Sequence, residues 1–176
     1  MIINYSDQEV ITGKKAIFLA GPTPREERVK SWRDEACRLL EEKGFDGVVY
    51  VPEYSTGKPL IDYDIQKDDG QVMWERIALS NSSVILFWIP RELPDMPAFT
   101  TNVEFGYWLH SGKAIYGRPD NSKKNQYLDW LYELDTKKKP INNLEELIDE
   151  TIILVEEKGI TKENKVLPLN ERKIME

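Results

Sequence analysis

The chain has 176 residues, 40% hydrophobic and 10% aromatic, which suffices for one domain with a packed core and is short for two. Its formal net charge of −7 and scattered Lys and Arg argue against polymeric nucleic acid as a partner, because counterion release needs a concentrated basic face. One cysteine, Cys37, and one histidine, His110, give poor support to a disulfide framework, a Cys/His zinc site or a Cys–His pair, so acid–base chemistry falls to carboxylates.

The start, "MIINYSDQEVITGKK", lacks the basic and apolar regions of a signal peptide, and no window is long and apolar enough to span a bilayer, so a cytoplasmic location without membrane attachment is expected. "KAIFLA" (15–20) is the first expected strand. A helical pattern over about 25–43 follows, with Trp32, Ala36, Leu39 and Leu40 on one stripe, Cys37 as a small buried thiol and Gly44 as the stop. "GVVYVP" (47–52) is the second strand. The polar stretch 55–71 is long enough for a functional loop or lid, and a second helix is expected over about 71–81. "SVILFWI" (83–89) leads to a helix from Thr100 or Thr101 to Ser111, with His110 near its last carbonyls and Gly112 past its end. "KAIYG" (113–117) is the fourth strand, before helical patterns in "KKNQYLDWLYEL" and "NLEELIDETIILVEEKG".

Strands alternating with helices at these lengths predict an α/β domain over 1–159: an open parallel sheet of four to five strands, Rossmann-like or flavodoxin-like, with helices on both faces. Residues 160–176 form a polar C-terminal tail, or an arm onto a partner subunit. Ligands of such sheets bind at the carboxyl ends of the strands. All four expected strands leave there through loops containing proline, "AGPTPR", "PEYSTG", "PRELPDMP" and "GRPD", which suggests a preformed pocket. In "AGPTPR", Gly21, before Pro22, lets a ligand approach the backbone, and Thr23 and Arg25 add a hydroxyl and a cation, although no phosphate-loop motif is present.

Glu104 stands among aromatic residues in "TTNVEFGYWLHSGK". Two readings are open. "TNVE" fits a capping box, with Thr101 as N-cap and Glu104 reaching back to it. Alternatively Glu104 points from the first turn into the pocket, held ionised by the helix amino end, as suits a nucleophile. Glu75, at the start of an apolar helix, is either a surface acid or a second reagent. Glu53 and Asp120 are further acids at strand exits. Arg25, Arg91 and Arg118 would suit a 5′-phosphate if they converge.

"IFLAGPTPR", "WRDEACRLLEEKGFDGVVYVPE", "WERIALSNSSVILFWIPRE" and "TNVEFGYWLHSGKAIYGRPD" together resemble the nucleoside 2-deoxyribosyltransferase family, in its deoxyribosyltransferase-like branch, over roughly residues 15–135. The resemblance implies a nucleophilic Glu at Glu104, an acid handling sugar and base at Glu75, and an aromatic flanking the nucleophile at Phe18. Gly21, Pro22, Thr23, Arg25, Glu53, Asn102, Trp108, Arg118 and Asp120 are the candidate substrate-binding residues. Classical members carry another Asp shortly before the nucleophile; here only Asp95 is available, at a different spacing. The implied activity is cleavage or transfer of the N-glycosidic bond of a nucleoside or nucleoside monophosphate through a glutamyl-glycosyl ester, with no cofactor or metal and with a homo-oligomeric assembly. The alternatives are an N-glycoside hydrolase of nucleotides, a non-catalytic nucleotide-binding sensor, and an interaction protein whose aromatic helix is a subunit contact.

Overall fold

A computed structural model describes residues 1–24, 29–57 and 69–161. Arg25, most of the 55–71 loop and nearly all of the expected tail lie outside the described residues. Five parallel strands, β1 (Ile2–Tyr5), β2 (Ala16–Ala20), β3 (Val48–Val51), β4 (Val84–Trp88) and β5 (Ala114–Gly117), form one sheet in the order β1-β3-β2-β4-β5. The helices are α1 (Trp32–Glu42), α2 (Asp69–Asn81), α3 (Phe99–Trp108), α4 (Gln126–Thr136) and α5 (Leu144–Lys158), with a 3₁₀ turn at Leu109–Ser111.

The open parallel sheet agrees with the expectation. Strands β2 and β4 are buried at every residue, as a parallel sheet covered on both faces requires. Successive side chains alternate between two cores. Ile17, Leu19, Val49, Leu86 and Ile115 meet Ala36, Leu40, Leu147 and Val155 of α1 and α5. Phe18, Tyr50, Ile85, Phe87 and Tyr116 meet Trp74, Phe105, Leu128 and Tyr132 of α2, α3 and α4. Burying each large apolar side chain fully contributes roughly 1.5–3 kcal/mol.

Strand β1 is the element the apolar runs did not reveal. "IINY" is a four-residue edge strand with burial on few of its residues, so it lacks the continuous apolar run of a central strand. Helix α1 is shorter than expected. Its N-cap is Ser31, whose Oγ accepts from the Arg33 backbone N–H at 3.2 Å, and the helix starts at Trp32. Gly112, at φ 70°, ends the turn after α3, as expected for a residue in the left-handed region. Among the described residues, no helix is long and apolar enough to cross a membrane.

Candidate active site

The chain leaves β2 toward β3 on one side and returns to β4 on the other, so the connections diverge between the carboxyl ends of β2 and β4. A cavity of about 170 Å³ opens there. Its wall takes Phe18 and Ala20 from β2, Gly21–Pro24 from the following loop, Pro52 from the end of β3, Gln71 and Glu75 from α2, and Pro97–Thr101 with Glu104 from the start of α3. Three of the four proline-bearing exits therefore contribute. The "GRPD" exit after β5 does not.

Helix α3 begins earlier than "TNVE" suggests. Ala98, at φ 58°, is the N-cap and makes no side-chain cap, and its carbonyl accepts from the Asn102 N–H at 3.1 Å. Glu104 thus lies in the second turn, too far along for a capping box and beyond the reach of the free N–H groups that would hold it ionised. This corrects the expected placement. Phe105 sets the helix rotation: it is fully buried, with ring centroids 5.2 Å from Phe87 and 5.0 Å from Tyr116. With that anchor in the core, the preceding residue lies at the cavity edge.

Glu104 is half-buried, and burial pushes its carboxyl up to about 8, with the Glu75 charge raising it further and Arg33 opposing. Glu75 is also raised, first by burial, while a hydrogen bond from Gln71 Nε2 at 3.2 Å and the Arg33 charge act in the other direction. Two carboxyls in the wall of one cavity resist ionising together. Such a pair holds a proton at neutral pH, so one member serves as an acid while the other is free to become an anion.

Arg33 is the principal site residue that sequence reasoning missed. Although on helix α1, it is only 1% exposed. Its Nε donates to Leu19 O at 2.9 Å, Nη2 to Gly21 O at 2.6 Å and Nη1 to Glu53 Oε1 at 2.6 Å, with longer contacts to Pro22 O and Thr23 Oγ1. One guanidinium thereby ties down the loop after β2 and places a buried positive charge in the cavity wall. The sequence carried no signal of this: the pattern over about 25–43 puts Arg33 mid-helix, and only the cap at Ser31 sets it in the first turn, where the macrodipole disfavours a cation. Gly21 is required by packing. A Cβ there would lie 2.2 Å from Trp88 O and 2.7 Å from the Trp32 ring, so the space expected for a ligand is taken on that side by protein.

Of the candidates, Phe18, Gly21, Pro22, Thr23, Glu75 and Glu104 come together around the cavity. The others have different partners. Glu53 holds Arg33 and accepts from Ser31 Oγ at 2.7 Å, Asn102 accepts from Arg91, and Trp108 faces Lys113 Nζ at 5.7 Å. Arg118 pairs with Asp129 at 2.8 Å, and Asp120 accepts from Asn142 at 3.0 Å. Arg91 and Arg118 do not converge on the cavity wall. His110 faces Asp135 at 3.6 Å rather than the last carbonyls of its helix, and burial pushes the Cys37 thiol up to about 12.

A family model described as nucleoside 2-deoxyribosyltransferase like matches residues 14–121, more than half of the chain. The chain belongs to that family. No curated protein matches it. The match runs from just before β2 to just past β5, so every residue of the cavity wall falls inside the nucleoside 2-deoxyribosyltransferase-like region, whereas β1, α4 and α5 lie outside it.

Proposed function

We propose that the protein breaks the N-glycosidic bond of a nucleoside and passes the sugar to a second base or to water. The observation that carries this reading is the pair of half-buried carboxyls, Glu104 and Glu75, both raised and both in the wall of one cavity at the strand ends. At neutral pH the proton of the pair rests on Glu104, so the reaction starts when that proton passes to Glu75; Glu104, then a carboxylate, forms a bond to the anomeric carbon while the C–N bond breaks and its electron pair leaves with the base. Glu75 gives that base its proton and becomes the carboxylate. In the second half the acceptor loses its proton to Glu75 and takes the anomeric carbon, and Glu104 departs as a carboxylate.

A free nucleoside is favoured over a monophosphate. Arg33 is the one cation among the described residues of the wall, and its donors are directed at protein oxygens. Residues 1–159 act as one domain, since α5 packs into the same core as α1 and Gly159 ends it. A homo-oligomer is supported by an exposed apolar stripe on α3, Phe99, Val103 and Tyr107, the last two 72% and 69% exposed, and by exposed Tyr127 and Trp130 on α4.

The test incubates the protein with deoxynucleosides, ribonucleosides and their 5′-monophosphates, with and without an acceptor base, and follows free base by chromatography. Glu104→Ala should abolish turnover while the protein stays folded. Glu75→Gln should slow it by about 10²–10⁴, the usual contribution of a positioned acid or base. Unchanged turnover in Glu104→Ala would remove the nucleophile from the proposal.

A further inference from the structure

Thr101 stands one helical turn before Glu104 on α3, lines the same cavity and is 4% exposed. Threonine hydroxyls inside helices often bond back to the carbonyl four residues earlier. Two in this chain do: Thr136 Oγ1 donates to Tyr132 O and Thr151 Oγ1 to Leu147 O, both at 2.6 Å. Thr101 does not. The residue four before it is Pro97, ahead of the left-handed Ala98 at which α3 begins, so the carbonyl that would take this hydroxyl is not set in the helical array. Among the described residues Thr101 Oγ1 has no partner, yet it is not one of the unpaired atoms closed off inside the protein. In a residue buried on its other sides, that opening faces the cavity.

We infer that Thr101 is a specificity-determining residue that hydrogen-bonds a ring hydroxyl of the sugar, at C2′ or C3′, so that nucleosides bearing it are taken in preference to 2′,3′-dideoxynucleosides. This inference rests on the nucleoside reading above. Position favours the sugar over the base. In that reading Glu104 bonds the anomeric carbon, and side chains three apart on a helix are neighbours, with Cβ atoms about 5–6 Å apart. The ring carbons that carry these hydroxyls adjoin the anomeric carbon, whereas the base leaves toward Glu75 on α2.

The chemistry agrees. A threonine hydroxyl both donates and accepts, which suits an alcohol that does the same. Other polar groups of the wall are already engaged. Thr23 Oγ1 accepts from Arg33 Nη1 at 3.3 Å, Gln71 Nε2 donates to Glu75 Oε1 at 3.2 Å, and the shortest bonds of Arg33 go to Leu19, Gly21 and Glu53. Thr100 also lines the cavity, but it is exposed, so water already serves its hydroxyl.

The experiment measures kcat/KM for the ribo-, 2′-deoxy-, 3′-deoxy- and 2′,3′-dideoxynucleosides of adenine and of cytosine. The proteins are the wild type, Thr101→Val, Thr101→Ser and Thr100→Val. Comparing a variant with the wild type on one substrate cancels the differing intrinsic reactivity of the glycosidic bonds. Thr101→Val keeps the shape of the side chain and removes its hydroxyl. It should lower kcat/KM about tenfold or more for the hydroxyl-bearing nucleoside the wild type turns over fastest, yet stay within about threefold for the dideoxy counterpart. The monodeoxy nucleosides show which hydroxyl is held, since the one lacking it should be as indifferent to Thr101→Val as the dideoxy substrate. Thr101→Ser, which retains the hydroxyl, and Thr100→Val should stay within about threefold on every substrate. A purely structural role would lower all substrates alike. Equal losses with and without ring hydroxyls, no loss, or a loss reproduced by Thr100→Val would overturn the inference. Calorimetry on Glu104→Ala needs no Thr101 variant, so misfolding of Thr101→Val does not protect it: the preferred nucleoside should bind about tenfold more tightly than its dideoxy counterpart, and equal affinities would overturn it as well. Turnover indifferent to Thr101 would sink the contact and leave the N-glycosidic activity standing. Absent turnover, with the hydroxyl-bearing nucleoside bound in preference and that preference lost in Thr101→Val, would do the reverse. Failure to bind any of these nucleosides would remove both.

Discussion

Helix α5 opens on Asn143, whose side chain accepts from the Glu146 N–H at 3.0 Å; it carries Glu145 and Glu146 in its first turn and Lys158 in its last, and stops at Gly159. Helix α3, on the opposite face of the sheet, has none of these devices. Its N-cap is an alanine in the left-handed region, its first turn has no acid, and the acid it does carry is half-buried one turn later. Caps, first-turn acids and last-turn bases each stabilise a helix by a few tenths to about 1 kcal/mol. Local rules therefore hold on α5, which only packs, and fail on α3, which borders the cavity, the pattern expected where stability is given up for a site. Charges follow the same division. Around α5, Lys15 reaches Glu156 at 2.6 Å and Lys43 reaches Asp149 at 2.8 Å, whereas the two cavity acids share no ion pair among the described residues.

The largest effect on stability should come from the buried cation that serves the cavity. Arg33→Met leaves the carbonyls of Leu19 and Gly21 and the Glu53 carboxylate without their donor, at a cost of about 3–5 kcal/mol, as for other broken buried pairs. Lys43→Met on the packing face breaks only contacts to exposed Glu145 and Asp149 and should cost less than about 1 kcal/mol. Chemical denaturation of both variants checks the contrast, and equal losses would break it.

Next comes Glu104 itself. Its folded value, about 8, lies above the ordinary 4.5, so between those pH values the folded state holds a proton that the unfolded chain has released. Stability from this group is fully present below pH 4.5 and is lost as pH rises through 8. Glu104→Gln should remove that slope and be more stable than the wild type at pH 8, by on the order of a few kcal/mol before solvent screening reduces it. Glu146→Gln, on an exposed first turn, should leave the pH profile nearly unchanged. Denaturation midpoints from pH 4 to 9 decide the matter; parallel profiles for Glu104→Gln and the wild type would show that Glu104 ionises as an ordinary carboxyl.

The same division explains what was legible in the sequence. Strands β2 to β5 declare themselves because a sheet covered on both faces needs unbroken apolar runs, and α5 does because Asn143 and Gly159 bracket its periodicity. Strand β1 has too few buried residues to show. Glu104 was legible as a residue of interest but not in its setting: T-x-x-E resembles a capping box, and only the left-handed turn at Ala98 reveals that the helix starts before it. Arg33 and Gln71 were missed for a different reason. The acceptors of Arg33 on β2 and in the loop after it are ten or more residues away in the chain, and the place of Gln71 in the cavity wall is set by how α2 packs. Both are facts of tertiary approach, to which periodicity is blind.

On the packing side, Asn143→Ala should cost about 1 kcal/mol by removing the cap on α5, a loss visible as a lower denaturation midpoint with turnover unchanged. Its counterpart on α3 has the opposite sign and the smallest expected size. Gly106 is exposed within α3, and a Cβ added there would meet nothing within 4 Å, so no close packing within the described residues requires a glycine. Gly106→Ala should therefore stabilise the monomer by about 0.5–1 kcal/mol through reduced backbone freedom in the unfolded chain. Gly106 adjoins the exposed stripe of Val103 and Tyr107, and the proposed homo-oligomer would cover that face. Denaturation at rising protein concentration distinguishes the two surroundings of this glycine. The gain should persist while the chain is monomeric and shrink as a second copy closes over α3, because a methyl group then occupies space at a contact; a gain independent of concentration would place the subunit contact elsewhere.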